Sequence, residues 1–292
     1  VTAATLAQKS SRPWVVSAKR ALASDLWITS FMALLLVVTL VAALAPVLVD
    51  GNPNQPDYAA RLASPLTPGH LAGTDQLGRD VLSRLIYGAR VSLLVGFVSA
   101  IAAGIVGTIV GLVAGHFGGT VDAVLMRLAD VQLSFPFILL ALVINAIIGL
   151  GLRNIILTLI IVGWVEHARI ARGETIVVRE REFVHAARLM GCREARIIFR
   201  HVLPNILTPL IVVATLQVSR FIVAEASVSF LGFGVQPPTP AWGSMISEGR
   251  DYIFTAWWLI TFPGVALVLL ALSVNMIGDW LRDVLDPKRI VR

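Results

Sequence analysis

Lysine is nearly missing from this sequence: of its 24 basic residues only Lys9, Lys19 and Lys288 are lysines. A phosphate-cradling G-x-x-x-x-G-K-[ST] loop needs a lysine at the end of a glycine-rich turn, and none of the three stands in one. That argues against an ATPase role for this chain. Cysteine is rarer still. Cys192 stands alone, which excludes an intrachain disulfide and a cysteine-based metal site and fits a small residue on a packed helix. Charge is scarce as well: charged residues make up 14% of the chain, against about 25% in a soluble domain. Apolar residues reach 57%, so the chain reads as a polytopic membrane protein with lipid covering its apolar surface. No segment repeats at a period of about 20–50 residues, and no tract is of low complexity.

The apolar runs define six spans. Residues 26–49 rise about 36 Å as a helix, enough to cross a bilayer. ALA at 43–45 resembles a signal-peptide cleavage site, but the run is longer than the apolar core of such peptides, about 7–15 residues. It is therefore read as a retained first span after a polar tail, 1–25. A loop with four prolines follows, and its second half, 73–93, has the spacing of an amphipathic helix lying at the interface. The second span, 91–113, carries Gly107 and Gly111, with Gly115 just beyond. These fall near one face, where they either admit a neighbouring backbone or are merely tolerated. Further spans are read at 131–150, bent at Pro136, and at about 155–165. The last two are 206–231 and 256–277. The fourth helix meets no breaker after Val165 and is expected to continue past the membrane.

The net charge of +6 raises the question of nucleic acid, but the basic residues fall between apolar runs rather than in one stripe. With both termini inside, 17 lie in cytosolic segments and six in external ones, which sets that orientation. Three blocks result: the cytosolic tail 1–25, the first span and external loop 26–90, and a core 91–292 holding a cytosolic loop at 166–205.

That loop contains the stretch on which function turns, REFVHAARLMGCREARIIFRHVLPN at 181–205. Val184, Ala187, Leu189 and Ile197 supply apolar positions, the arginines stay wet, Gly191 breaks two short helices, and Leu203-Pro204-Asn205 ends the second. About 40 residues between spans exceeds the 2–8 of an ordinary helix connection. A docking surface is the expected role.

The pattern His185-Ala186-Ala187, Gly191, His201, Leu203-Pro204 resembles the EAA loop of ABC-importer permeases. Together with GTDQLGRDVLSRLIYGARVSL at 73–93 and EASVSFLGFGVQPPTPAWG at 225–243, it resembles the C-type permease subunit of dipeptide and oligopeptide importers, whose relatives carry nickel or glutathione. The likeness runs from the first span to DPK at 286–288. It implies an all-α, six-span type I importer permease in the bacterial cytoplasmic membrane, paired with a second, similar permease. It further implies two ATP-binding subunits, which hold ATP and Mg, and an extracytoplasmic peptide-binding protein. The loop residues Glu182, His185, Ala186, Ala187, Gly191, Leu203 and Pro204 would couple to the ATPase, with the small residues letting the short helix enter a cleft. His185 stands where the family has Glu, and His201 where it has Ile. Glu182, one turn before His185, is expected to supply the carboxylate.

Arg220 and Glu225 lie within the fifth span, where charge is costly, and are candidates for the translocation path or for pairing to another helix. About 140° apart in direction, they do not pair with each other. Asp75, Arg79, Asp80 and Arg84 form either a surface for the binding protein or a self-satisfied amphipathic helix. Trp257, Trp258 and Trp280 read as interface anchors. No histidine has metal-ligand spacing. A secondary transporter would show repeats and broken helices, and a membrane enzyme has only Glu166-His167, without a nucleophile motif.

Overall fold

The computed structural model describes residues 26–49 and 51–285. The basic residues of the N-terminal tail, Lys288, Arg289, Arg292 and the DPK segment lie outside the described residues, whereas Arg282 of the C-terminal tail is in the last turn of the last helix. The described part is helical, with two isolated β-bridges and no strand. Its helices are α1 (Leu26–Ala43), α2 (Ala45–Leu48), α3 (Val81–Phe117), α4 (Gly119–Leu133), α5 (Phe137–Ile148) and α6 (Leu152–Arg179). After these come α7 (Glu182–Leu189), α8 (Glu194–Ile197), α9 (Leu203–Phe230), α10 (Trp242–Gly249) and α11 (Trp258–Leu285).

Five helices are long and apolar enough to cross a membrane, and a sixth crossing is made if α4 and α5 count as one broken span. The third expected span differs most from its reading. Instead of one bent helix over 131–150, α4 and α5 meet at 93°. Pro136 disfavours helical geometry at Phe135, so the chain turns at 134–136 before α5 starts. The second span also changes. Asp80 caps α3, accepting from the Ser83 backbone N–H (2.8 Å) and hydroxyl (2.7 Å). From that cap the helix runs unbroken for 37 residues, about 55 Å. Of the expected interfacial helix over 73–93, only the part from Val81 is helical and forms the first turns of α3; 73–80 is a turn closed by a Thr74–Asp80 bridge. Gly118, at φ +65°, ends α3.

The tightest seam lies between α3 and α6. A Cβ at Gly107 would lie 2.2 Å from the Trp164 carbonyl, one at Gly111 2.3 Å from that of Ala168, and one at Gly115 2.8 Å from that of Arg172. Backbone therefore lies directly on backbone along three turns, which only glycine permits. Helix α9 packs on α3, α6 and α11, and α1 packs on α3 and α11. The outward flanks of α1 and α3 carry exposed Leu36, Leu40, Ile101, Ile105 and Ile109, the apolar surface that suits lipid.

The seam makes a direct prediction. Gly111→Leu drives a side chain into the α6 backbone, and overpacking of this kind costs about 1–3 kcal/mol or more. The thermal midpoint of the detergent-solubilised protein should fall clearly. Gly173→Leu, at a position with open space around it, should leave the midpoint nearly unchanged.

Candidate coupling surface and translocation path

Helix α6 continues unbroken past Val165, as expected, to Arg179, so the loop proper begins at Glu180 rather than 166. Helix α7 is amphipathic: Val184 and Ala187 are buried, while Ala186, Leu189 and Met190 are exposed, Leu189 by 90%. Its end explains the Ala-Ala-x-x-x-Gly spacing. The Gly191 N–H donates to Arg188 O (3.0 Å) and the Cys192 N–H to Ala187 O (3.1 Å), the two bonds of a Schellman cap. That cap needs a left-handed residue, and Gly191 has φ +77°. Cys192 thus sits in the turn, not on a helix, and packs with Ala187 in one cluster.

The cluster is a small core of the loop's own. Val184, Ala187, Ile197 and Val202 meet Leu112 of α3, Ala171 and Val178 of α6, and Ile206 and Leu210 of α9. Ala187 therefore faces inward. Neighbouring helix positions differ by about 100°, so Ala186 is the small residue left outside. Gly191 does break two short helices, but Leu203-Pro204 does not end the second. From α8 the chain passes through a π turn, Ile198–Val202, directly into α9, where Pro204 occupies the first turn. Proline is tolerated there because first-turn donors are spare. Leu203 is half-buried against the cluster and Pro204 is exposed.

Polar contacts brace the same unit. His116, at the end of α3, meets Glu194 across 2.7 Å, and Arg188 approaches the same carboxylate at 3.2 Å. The Arg188 and His116 hydrogen bonds hold the Glu194 pKa below the ordinary carboxylate range. Arg179 donates to the Gly115 carbonyl at the α3 terminus (2.6 Å), a favourable place for a cation. The carboxylate beside His185 is Glu180, at 3.6 Å, and not Glu182. His201 lies against Phe183, with ring centroids 6.5 Å apart.

On another face a cavity of about 710 Å³ opens among α5, α6, α9 and α11, within the usual ligand-pocket range. Its walls are mostly apolar, with Phe137, Val162 and Phe221, but Glu166, Arg169 and Arg220 also line it. Arg220 Nη1 donates to Glu166 Oε2 at 2.6 Å, both side chains partly exposed. Arg220 and Glu225 do not pair. Glu225 is fully buried on the seam between α9 and α3, where it accepts from Ser229 (2.7 Å) and faces Ser92 (3.5 Å). No periodicity reading could assign Glu166 to Arg220, because the two are 54 residues apart.

The charges of the 73–84 segment are buried, not displayed. Asp75 accepts from Arg79 Nε (2.6 Å) and from Arg84. Both arginines also reach Glu248 of α10, Arg79 Nη2 at 2.7 Å and Arg84 Nη1 at 2.9 Å. Asp80 stands apart as the α3 cap, with His70 beside it at 3.1 Å. Trp258 is also inside rather than at an interface: it is 5% exposed and donates to the Thr74 carbonyl (3.1 Å). Trp257 remains exposed. Glu248 and Trp258 were not predictable as partners of this loop because they lie more than 160 residues away.

Residues 107–291 match the family described as the binding-protein-dependent transport system inner membrane component. This chain belongs to that family and is a multi-pass inner-membrane transport component. It is 43% identical over 270 residues to the dipeptide transport system permease protein of Alkalihalophilus pseudofirmus, covering 92% of this chain and 86% of that one. It is 36% identical over 276 residues to the glutathione transport system permease protein of Pectobacterium atrosepticum, covering 94% and 91% respectively. A solved inward-facing form of the MetNI methionine ABC transporter superposes with a TM-score of 0.55 at 21% identity, over 72% of this chain and 98% of that one. The fold is that of a type I ABC importer permease.

The buried network yields a prediction about acid. Burial alone would raise the Glu248 pKa, but Arg84, then Arg79 and Gln76, outweigh it and hold it below the ordinary range. A depressed carboxylate stabilises the fold above its unfolded pKa, and that stabilisation is lost as pH falls through the folded value. Thermal melts carried from about pH 7 down to about pH 2, through and below the ordinary carboxylate range, should show this loss, and Glu248→Gln should flatten it. Asp75→Ala, which leaves buried arginines short of a counter-charge, should destabilise by about 3–5 kcal/mol at neutral pH.

Proposed function

We propose that this chain is one of two permease subunits in an ATP-driven importer of dipeptides or short oligopeptides. The second is a similar but non-identical permease. Two ATP-binding subunits, which hold ATP and Mg, dock on the cytosolic side, and an extracytoplasmic peptide-binding protein delivers substrate. Both termini are cytosolic. ATP chemistry resides on the partners, so this chain is not an enzyme. The substrate class comes from the relatives, among them the dipeptide permease.

The observation that carries the coupling role is the loop's construction. Helix α7 presents Leu189 and Met190 outward while its inner face is locked onto α3, α6 and α9 by a dedicated core. A push on that ledge by ATPase closure therefore reaches three spans together. Ala186 allows close approach, Gly191 shapes the end of the ledge, and Glu182 and His185 are exposed for polar contact. Leu203 and Pro204 join the ledge to α9. Arg220 belongs to the path, and Glu225 holds α9 against α3.

A second reading, import of glutathione, is supported by the glutathione permease relative. Membrane vesicles holding the full assembly should take up labelled dipeptide only with ATP. Unlabelled di- and tripeptides should compete better than glutathione, and the reverse order would favour the second reading. ATP-independent uptake would refute the importer assignment. Gly191→Pro, incompatible with φ +77°, should abolish both ATPase co-purification and uptake.

A further inference from the structure

We propose that the Glu166–Arg220 pair is a recognition point for the two end charges of a zwitterionic peptide in transit, carboxylate to Arg220 and ammonium to Glu166. This deepens the importer reading and rests on it.

Placement is the first argument. Arg220 lies about 26 Å along α9 and Glu166 about 21 Å along α6, so neither is near a helix end. A charge within an apolar span, as Arg220 is, is costly, and such residues face cavities or pathways and take partners. A pair serving only to join two helices is often matched in stability by apolar residues of similar volume. This pair is not packed away. Its side chains are 63% and 39% exposed and line the cavity of about 710 Å³.

Unused bonding capacity is the second argument. Among the described residues, the one hydrogen bond of Arg220 uses Nη1, leaving the Nε and Nη2 edge, whose fork matches a carboxylate. Glu166 engages Oε2 alone, leaving Oε1 for an ammonium. Arg169 lies one turn from Glu166 on the same face and also lines the cavity, held by Asp130 of α4. Lodging a zwitterion against the pair adds one charge of each sign, so the site stays neutral with the peptide present or gone.

The apolar walls explain what such a site ignores. Phe137, Val162 and Phe221 offer no directional bonds to a peptide's side chains, and the lining Gln217, Ser219 and Ser227 donate instead to backbone carbonyls, with Asn275 a further polar group on the wall. Recognition mainly by the ends would pass peptides of differing sequence, whereas a substrate without opposite end charges would gain nothing from the pair.

The test uses the assembled importer in proteoliposomes with binding protein, ATP and a labelled dipeptide with uncharged side chains. Glu166→Gln and Arg220→Gln should each lower the maximal uptake rate about tenfold or more, the worth of a charge-assisted bond, with KM unchanged. The double neutral variant should stay equally low, and Arg220→Lys should retain more uptake than Arg220→Gln. Recovery of the double variant to within about twofold of wild type would show a structural pair and overturn the proposal. So would loss of the second permease on purification of either single variant, which would make the pair a subunit contact. Absence of dipeptide uptake by the wild type would overturn the importer reading itself, a result distinguishable from all of these.

Discussion

Backbone lying on backbone between α3 and α6 is the constraint that the rest of the structure depends on. Gly107, Gly111 and Gly115 bring the two helices so close that carbonyls of α6 occupy the space of absent side chains. In lipid, where apolar side chains gain nothing by leaving one oily surface for another, such close packing holds spans together. The consequences run to both ends. At one end the seam delivers Arg179 to the α3 terminus and His116 to Glu194. At the other, the upper turns of α3 carry Arg84 into the network with Asp75 and Glu248.

Two differently built units thus hang on one rigid pair. The loop between α6 and α9 is fixed mainly by apolar packing, with its charges outermost. The segment before α3 is fixed by buried ions, each arginine sharing two carboxylates. Breaking a core of the first kind costs in proportion to the volume removed. Breaking the second leaves a stranded charge, which is the larger penalty. The cavity lies beside this frame, and Arg220 reaches it from α9, the span that grows directly out of the loop.

Much of this was legible from residues alone. The apolar runs located the spans and the unbroken pattern after Val165 carried α6 onward, while the glycine spacing marked one face without deciding between close approach and mere tolerance. Gly191 was correctly read as a break because left-handed caps leave a local signature. What escaped were matters settled by distant partners. Charges at Asp75, Arg79 and Arg84 look the same in sequence whether they face water or Glu248, and Trp258 looks like an anchor until Thr74 is beside it. The turn at 134–136 was placed near the right proline but underestimated, since a proline marks a bend without stating its angle. Pro204 misled in the opposite way: it reads as a helix stop, yet the first turn of α9 absorbs it. The inward turn of Ala187 needed the loop's core to be seen.

The π turn at Ile198–Val202 sets a phase. A wide turn holds one more residue than the α-helical path it replaces, and one residue is worth about 100° of rotation. The exposed Leu189–Met190 ledge precedes that turn and the cavity-facing Arg220 follows it; helix runs unbroken from Glu194 through the turn to Arg220, and the Gly191 cap links the ledge to its start. Their relative direction is therefore an angular offset written into the backbone. Deleting a single residue between 198 and 202 would leave every side chain chemically intact while turning the ledge away from its present bearing. Where two exposed faces are joined through one such turn, register matters as much as composition.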